Sequence, residues 1–158
     1  MGKRIKCYIA GPFFREGERE RLEKLREFFN NDDFFDEYEF FFPMDHKIPG
    51  GEEMSNGEWA WNVFEMDTKE LATSDLVVAV YDKHYSDSGT AWELGFAFAN
   101  HIPVLLLCTD LEADNSIMPM IAADKIYQFD KFVNGEYFNF DEFDIDKLKW
   151  IPNGRRNY

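Results

Sequence analysis

Residues 76–108 read LVVAVYDKHYSDSGTAWELGFAFANHIPVLLLC, and this stretch determines the expected fold. It opens with an unbroken apolar run at 76–81 and continues through a polar loop at 82–87. A helix-forming stretch follows at 89–100, and a second apolar run closes it at 104–108. Unbroken apolar runs are typical of strands that a parallel sheet buries on both faces. The stretch therefore predicts a strand, a helix and a second, parallel strand.

The same alternation of strand and helix continues on both sides of this unit. Strands are predicted at 4–10, 38–42 and 125–129, and helices at 16–29, 58–73 and 115–123, with a polar loop at 46–57. Five such strands favour an α/β, flavodoxin-like three-layer sandwich with a five-stranded parallel sheet in the order 2-1-3-4-5. Its crevice opens at the carboxyl ends of strands 1 and 3. We therefore expect the loop at 11–14 and the segment at 82–93 to border one pocket.

Composition limits the possible functions. The 158 residues are expected to form a single domain, 1–158, and the net charge of −14 argues against nucleic acid or anionic lipid as a partner. No apolar run approaches the roughly 20 residues of a membrane helix, and a cytoplasmic location is expected. Cys7 and Cys108 lie in strand-like runs and are expected to be reduced core residues. The three histidines have no metal-ligand spacing, so neither a metal nor another cofactor is expected.

Three acids have positions that suggest chemistry. Asp67 falls in the middle of an apolar helix stripe, where a carboxylate is costly unless it has partners or faces a cleft; the alternative is a slightly rotated helix with Asp67 in water. Asp87 precedes a helix, where capping is an ordinary role. Glu93 lies in the first turn or two of the same helix, where the dipole favours an ionised carboxylate; first turns also favour acids for structural reasons. Alone, each acid leaves both interpretations open.

Together the three acids are more informative. All are expected near the carboxyl end of the sheet, where parallel α/β folds build their sites. One carboxylate that attacks and one that transfers a proton are what retaining glycosyl transfer requires. Nearby negative charge stabilises its oxocarbenium-like transition state.

Three stretches resemble the nucleoside 2-deoxyribosyltransferase family. The most specific is Asp67-x7-Asp75-x11-Asp87-Ser-Gly-Thr-Ala-Trp-Glu93-Leu-Gly. Residues 8–14, YIAGPFF, look like the family's first strand and base-binding loop, and the helix from Glu58-Trp59 to Asp67 is similar to its second conserved helix. The resemblance covers most of residues 5–108.

The resemblance implies a flavodoxin-like fold and a ping-pong exchange of the 2-deoxyribosyl group between purine and pyrimidine bases. Glu93 matches the nucleophile that holds a deoxyribosyl ester, and Asp67 the acid that transfers a proton near the base. Asp87 matches the acid that binds a sugar hydroxyl, and Tyr8 the residue that orients the nucleophile. The expected substrates are nucleosides and free nucleobases.

Further substrate contacts are expected at Gly11, Phe13, Phe14, His46, Lys47, Trp59 and Gly89. Phe13 and Phe14 match an apolar wall that stacks on the base, although without the resemblance they would be ordinary core residues. Met66 stands where the family often has Asn. Asp45-His46-Lys47 stands where a base-contacting Asn-Gln pair is expected, and this departure leaves base preference open.

The family also shares its sites between subunits, so a homo-oligomer is expected, built on dimers and extending as far as a hexamer. Asn115 is the nearest candidate for an Asn that crosses to a neighbour's sugar hydroxyl, and Tyr158 matches a C-terminal carboxylate that some members lay in the neighbour's site. The aromatic tail after residue 130 is reasonable interface material.

Two other functions stay open at this stage. A 2′-deoxynucleoside 5′-monophosphate N-glycosidase would transfer the sugar to water, but the Asp87 carboxylate would repel a 5′-phosphate, while Ser86 and Ser88 would accept one. A non-catalytic nucleotide- or flavin-binding module is the second alternative. No Gly-rich phosphate loop follows strand 1, which argues against such a module.

Overall fold

A computed structural model of the chain describes residues 2–82, 87–112 and 116–136. Strands and helices alternate along it as β1 (Ile5–Ala10), α1 (Glu16–Asn31), β2 (Tyr38–Phe41), α2 (Asn56–Ala72), β3 (Leu76–Tyr81), α3 (Ser88–Ala99), β4 (Val104–Cys108), α4 (Ile117–Ala122), β5 (Lys125–Gln128) and α5 (Phe129–Val133). All four strand pairs are parallel, in the order β2-β1-β3-β4-β5. The predicted α/β fold and strand order are confirmed.

Several element boundaries differ from the sequence prediction, and capping explains two of them. Helix α2 begins at Asn56, two residues early, because Ser55 caps it and Glu58 closes a capping box back to Ser55. Helix α3 begins at Ser88 because Asp87 caps it. Strand β5 ends at Gln128, and the short helix α5 that follows was not predicted. Its aromatic side chains pack on the sheet, and this tertiary contact leaves no periodic signal in five residues.

The sheet separates two apolar cores, and alternation along the strands decides which side chains enter each core. Tyr8, Ala10 and Ala79 lie in the core under α2 and α3. Ile9, Val78 and Val80 point to the opposite core, which α1 and α5 cover. This alternation positions the site, because it turns the Tyr8 side chain toward the helix that carries Glu93.

Cys7 and Cys108 are both buried and free, as expected for reduced core residues. Burial raises the pKa of each thiol to about 12, so both are protonated and unreactive at neutral pH. Among the described residues, no helix combines the length and the apolar character needed to cross a bilayer.

Candidate active site

A hydrogen bond between β1 and α3 is the centre of the site. The Tyr8 hydroxyl donates to Glu93 Oε1 at 2.8 Å, joining residues 85 positions apart in sequence. Tyr8 is fully buried, and burial beside Glu93 raises the pKa of its phenol far above the ordinary value, so the phenol remains a donor. The contact fixes the orientation of the Glu93 carboxylate and stabilises its ionised form.

Both Glu93 and Asp67 line one cavity of about 500 Å³ between α2 and α3. Ala60, Phe64 and Leu71, the apolar stripe on which Asp67 was predicted, line the same cavity. The stripe therefore faces a cleft as well as the core, which is the condition under which a carboxylate on it is tolerated. Asp67 Oδ1 is buried and has no hydrogen-bond partner. Asp67 is therefore partly buried and lines the cavity, whereas the rotated-helix alternative placed it in water.

Burial dominates the electrostatics of these two acids. It raises the pKa of Asp67 to about 6, an effect that nearby His46 opposes. Burial likewise raises the pKa of Glu93 to about 7; the Tyr8 hydrogen bond opposes the increase, and the charges of Asp67 and Asp87 add to it. From the helix dipole alone, the sequence predicts an ionised Glu93. Glu93 lies in the second turn of α3, where loss of solvation outweighs that dipole.

Asp87 caps α3, as its position before the helix suggested. Its Oδ2 accepts hydrogen bonds from the backbone N–H of Thr90 at 2.9 Å and from the Thr90 hydroxyl at 2.8 Å. Gly89 packs against this carboxylate, since a Cβ at position 89 would lie 3.2 Å from Asp87 Oδ2. Gly89 itself lines the cavity that holds Glu93. Capping does not exclude a second role for Asp87, because its charge still acts on Glu93.

The loop after β1 is held by α1. Gly11 has a packing role, because a Cβ there would lie 3.3 Å from both Leu22 and Val80. Phe13 and Phe14 stack on each other with ring centres 5.1 Å apart; Phe13 packs on the core under α1, whereas Phe14 is 71% exposed. These three residues lie outside the set that lines the Glu93 cavity.

Sequence reasoning missed the residue that fixes this loop. Glu18 is buried, and its carboxylate accepts the backbone N–H groups of Phe14 and Arg15, each at 2.9 Å. An acid at the third position of a helix is the signal that would have identified it. Phe64 and Trp92 were also missed as cavity-lining residues, although Trp92 directly precedes Glu93.

A second cavity, of about 480 Å³, lies beside the first. His46, Lys47 and Trp59, three predicted substrate contacts, all line it. Val63 lines both cavities, so they adjoin along α2. Asn115 and Tyr158, the predicted shared-site residues, lie outside the described residues. Within the described ranges, no group of three or more His, Cys, Asp or Glu side chains is arranged to hold a metal ion.

Comparison with known proteins identifies the family. The family model for nucleoside 2-deoxyribosyltransferase matches residues 7–134, which include Tyr8, Asp67, Asp87 and Glu93. The chain belongs to the nucleoside 2-deoxyribosyltransferase family. A nucleoside deoxyribosyltransferase from Limosilactobacillus fermentum is 28% identical over 107 residues, which are 65% of this chain and 64% of that relative. The chain thus spans less than two thirds of the curated relative that it matches.

Solved structures of deoxyribosyltransferases share this fold. The 2-deoxyribosyltransferase from Bacillus psychrosaccharolyticus superposes with a TM-score of 0.70 at 27% identity, covering 86% of this chain and 93% of the other. The CMP N-glycosidase BcmB from Clostridium botulinum superposes with a TM-score of 0.52 at 17% identity, covering 82% and 95%. At that identity the second likeness shows the fold alone.

Proposed function

We propose that this protein transfers the 2-deoxyribosyl group between nucleobases through a covalent ester on Glu93. The observation that carries the proposal is the pair of carboxylates in one cavity, with Glu93 oriented by Tyr8 at 2.8 Å and Asp67 unpaired. Their environments suit two different tasks. Burial raises the pKa of both acids, but the hydrogen bond from Tyr8 orients Glu93 and favours the ionised form that a nucleophile requires, whereas Asp67 Oδ1 has no donor that would favour its ionised form.

The first half-reaction would use both groups. An ionised Glu93 oxygen bonds to C1′ as the bond from C1′ to the base nitrogen breaks, and the electron pair of that bond goes to the base. The Asp67 carboxyl gives its proton to the base as it leaves. Negative charge on Glu93 and Asp87 stabilises the oxocarbenium-like transition state.

The second half-reaction reverses these roles with a different base. A nitrogen of the incoming base bonds to C1′ as the ester bond to Glu93 breaks, and Asp67 takes the proton that this nitrogen loses. We assign Asp87 to a sugar hydroxyl, with Oδ2 kept on the helix cap.

Product analysis tests the proposal directly. Thymidine with adenine should give deoxyadenosine and thymine, whereas thymidine alone should release much less thymine. The peptide that contains Glu93 should gain the mass of one deoxyribosyl group after quenching with thymidine alone. Glu93→Ala should remove essentially all exchange, and Glu65→Ala, at an exposed position on α2, should not.

Three results would contradict the proposal. One is more than about a tenth of wild-type turnover in Glu93→Ala, since loss of a covalent nucleophile removes most of the rate. The second is equal release of thymine with and without adenine. The third is sugar release from a deoxynucleoside monophosphate in preference to exchange, which would support the N-glycosidase alternative.

We also propose that the protein functions as a homo-oligomer. Large apolar side chains of α2, α3 and α4 stay exposed in the single chain, and we call this set the α2–α4 apolar face: Trp61, Phe64, Trp92, Phe98, Met118 and Ile121. Ring contacts link it from Trp61 to Phe64 and on to Trp92. Soluble proteins seldom leave so many neighbouring apolar groups uncovered. A partner bound here would also lie at the mouth of the Glu93 cavity, which Phe64 and Trp92 line.

A further inference from the structure

The second cavity contains groups that the proposed mechanism does not use. It lies between the loop before α2 and the first turns of that helix, and His46, Lys47, Glu52, Glu53, Trp59 and Val63 line it. Trp59, Val63 and Asp67 are spaced four residues apart, so they lie along one face of α2. A base that receives its proton from Asp67 would therefore extend toward Val63 and Trp59.

The loop that carries these groups is anchored on its outer side. Asp45 is held by Arg26 of α1 through two hydrogen bonds, at 2.7 and 2.8 Å, and Arg26 also lies 4.4 Å from the Phe42 ring. Asp45 is therefore paired with α1 and does not line the cavity. The His46 ring stacks on Phe41 at 4.2 Å with an angle of 11°, and this contact fixes the imidazole.

The cavity thus pairs hydrogen-bond donors with acceptors. Lys47 can only donate, and the ionised carboxylates of Glu52 and Glu53 can only accept. Both glutamates belong to the 3₁₀ turn Gly51–Glu53, which follows Lys47 in the same loop, and all three residues line the cavity. Guanine presents the acceptors O6 and N7 on one side and the donor N2 amino group on another, whereas adenine presents a donor at position 6.

We propose that this cavity binds the base and selects a 6-oxopurine that carries a 2-amino group. Lys47, with His46 beside it, donates to O6 and N7, and Glu52 or Glu53 accepts from the 2-amino group. The Trp59 indole offers a stacking surface for the purine ring. The inference rests on the proposed function in one respect, since it places the sugar in the adjoining cavity with Glu93.

Four purine deoxynucleosides separate the two contacts. Deoxyguanosine, deoxyinosine, deoxyadenosine and 2,6-diaminopurine deoxyriboside combine an oxo or amino group at position 6 with the presence or absence of a 2-amino group. With thymine as the common incoming base, kcat/KM should be about 10-fold higher for each 6-oxo nucleoside than for the 6-amino nucleoside that has the same group at position 2. A smaller gain, about 3-fold, is expected from the 2-amino group, because that group has one contact in the cavity whereas O6 and N7 have two.

Matched variants assign each preference to its residue. Lys47→Met should reduce the preference for 6-oxo over 6-amino nucleosides to less than about 2-fold and leave the effect of the 2-amino group intact. The double variant Glu52→Gln with Glu53→Gln should remove the effect of the 2-amino group and leave the preference for 6-oxo nucleosides intact. Lys24→Met, at an exposed position on α1, removes the same charge far from the cavity and should change neither preference.

Equilibrium dialysis keeps the inference testable without turnover. Glu93→Ala protein should bind hypoxanthine more tightly than adenine, and adding Lys47→Met should abolish that difference. Equal binding of both bases, tighter binding of adenine, or binding of neither would overturn the inference. Failure of exchange with all four nucleosides while hypoxanthine is still preferred would instead overturn the proposed function and leave the base site standing.

Discussion

At the scale of single residues, the site places acids where the fold would be more stable without them. Asp67 Oδ1 is buried without a partner, and burial raises the pKa of Asp67 to about 6 from an ordinary value of 3.8. The folded state therefore binds more protons than the unfolded state between these two values. Stability from the protonated carboxyl is present below about pH 4 and is lost as the pH rises through 6. An acid that must hold a proton near neutral pH needs this environment.

Asp67→Asn should therefore stabilise the protein at high pH while it removes activity. The pKa shift of about two units corresponds to about 3 kcal/mol, which solvent in the cavity reduces to about 1–2 kcal/mol. Urea unfolding should show a gain of that size at pH 8 and almost none at pH 4. Exchange should fall by about 100-fold or more, since amide cannot transfer the proton.

Asp36→Asn, at an exposed position, is the matched control and should change neither property. The interpretation of Asp67 as a buried proton donor fails if Asp67→Asn is less stable than the wild type at pH 8, or if the stability difference is the same at both pH values.

At the scale of elements, the sequence predicted the order and type of nearly all elements and the strand order. Unbroken apolar strands and amphipathic helices encode those features directly. The features that the sequence did not predict depend on tertiary contacts. Helix α5 forms because Phe129 and Phe132 pack in the core, and the role of Glu18 depends on its hydrogen bond to the loop after β1. The contact from Tyr8 to Glu93 is likewise invisible to periodicity, and only the family resemblance indicated it.

Asp87 caps α3 and also places a negative charge near Glu93, and substitutions can separate these two roles. Asn caps helices as well as Asp does, so Asp87→Asn should change the free energy of unfolding by less than about 0.5 kcal/mol. Asp87→Ala should cost about 1 kcal/mol, because the Thr90 N–H loses its acceptor. Both variants remove the charge, so both should lower exchange activity and lower the pKa of Glu93, moving the acid limb of the rate profile to lower pH.

Ser55→Ala provides the comparison, since Ser55 caps α2 in the same way and lies outside both cavities. It should cost about as much stability as Asp87→Ala and leave the rate unchanged. Full activity in Asp87→Asn would show that Asp87 serves only as a cap.

At the scale of the whole molecule, a strongly acidic chain also exposes apolar surface. The net charge of −14 opposes association, so an oligomer needs a well-matched apolar contact to form. The α2–α4 apolar face offers one, and a further cavity of about 640 Å³ between α3 and α4, lined by Phe98 and Met118, could receive side chains from a second copy. The acidic surface would then limit association to that face.

Phe98→Glu should therefore dissociate the protein and reduce its activity. Phe98 is 63% exposed in the single chain and Phe34, on the turn Asp33–Phe35, is 64% exposed, so Phe34→Glu adds the same charge at matched exposure away from the α2–α4 apolar face. Sedimentation velocity should give an oligomer for the wild type and for Phe34→Glu, and a monomer for Phe98→Glu. A monomeric wild type, or equal dissociation by both variants, would contradict this assignment.

Sharing of the site between subunits is a further step, and mixing variants decides it. Glu93→Ala lacks the nucleophile, and Asn115→Ala lacks the residue expected to cross to a neighbour's sugar. If each chain supplies a different part, a dimer with one chain of each variant has one site in which both residues are wild type. Random exchange makes about half of the dimers mixed, so the exchanged protein should regain up to about a quarter of the wild-type rate. Native mass spectrometry must first show that subunits exchange. Mixed oligomers that remain inactive would show that each site is built from one chain, and full activity of Asn115→Ala alone would move the crossing role to Ser116.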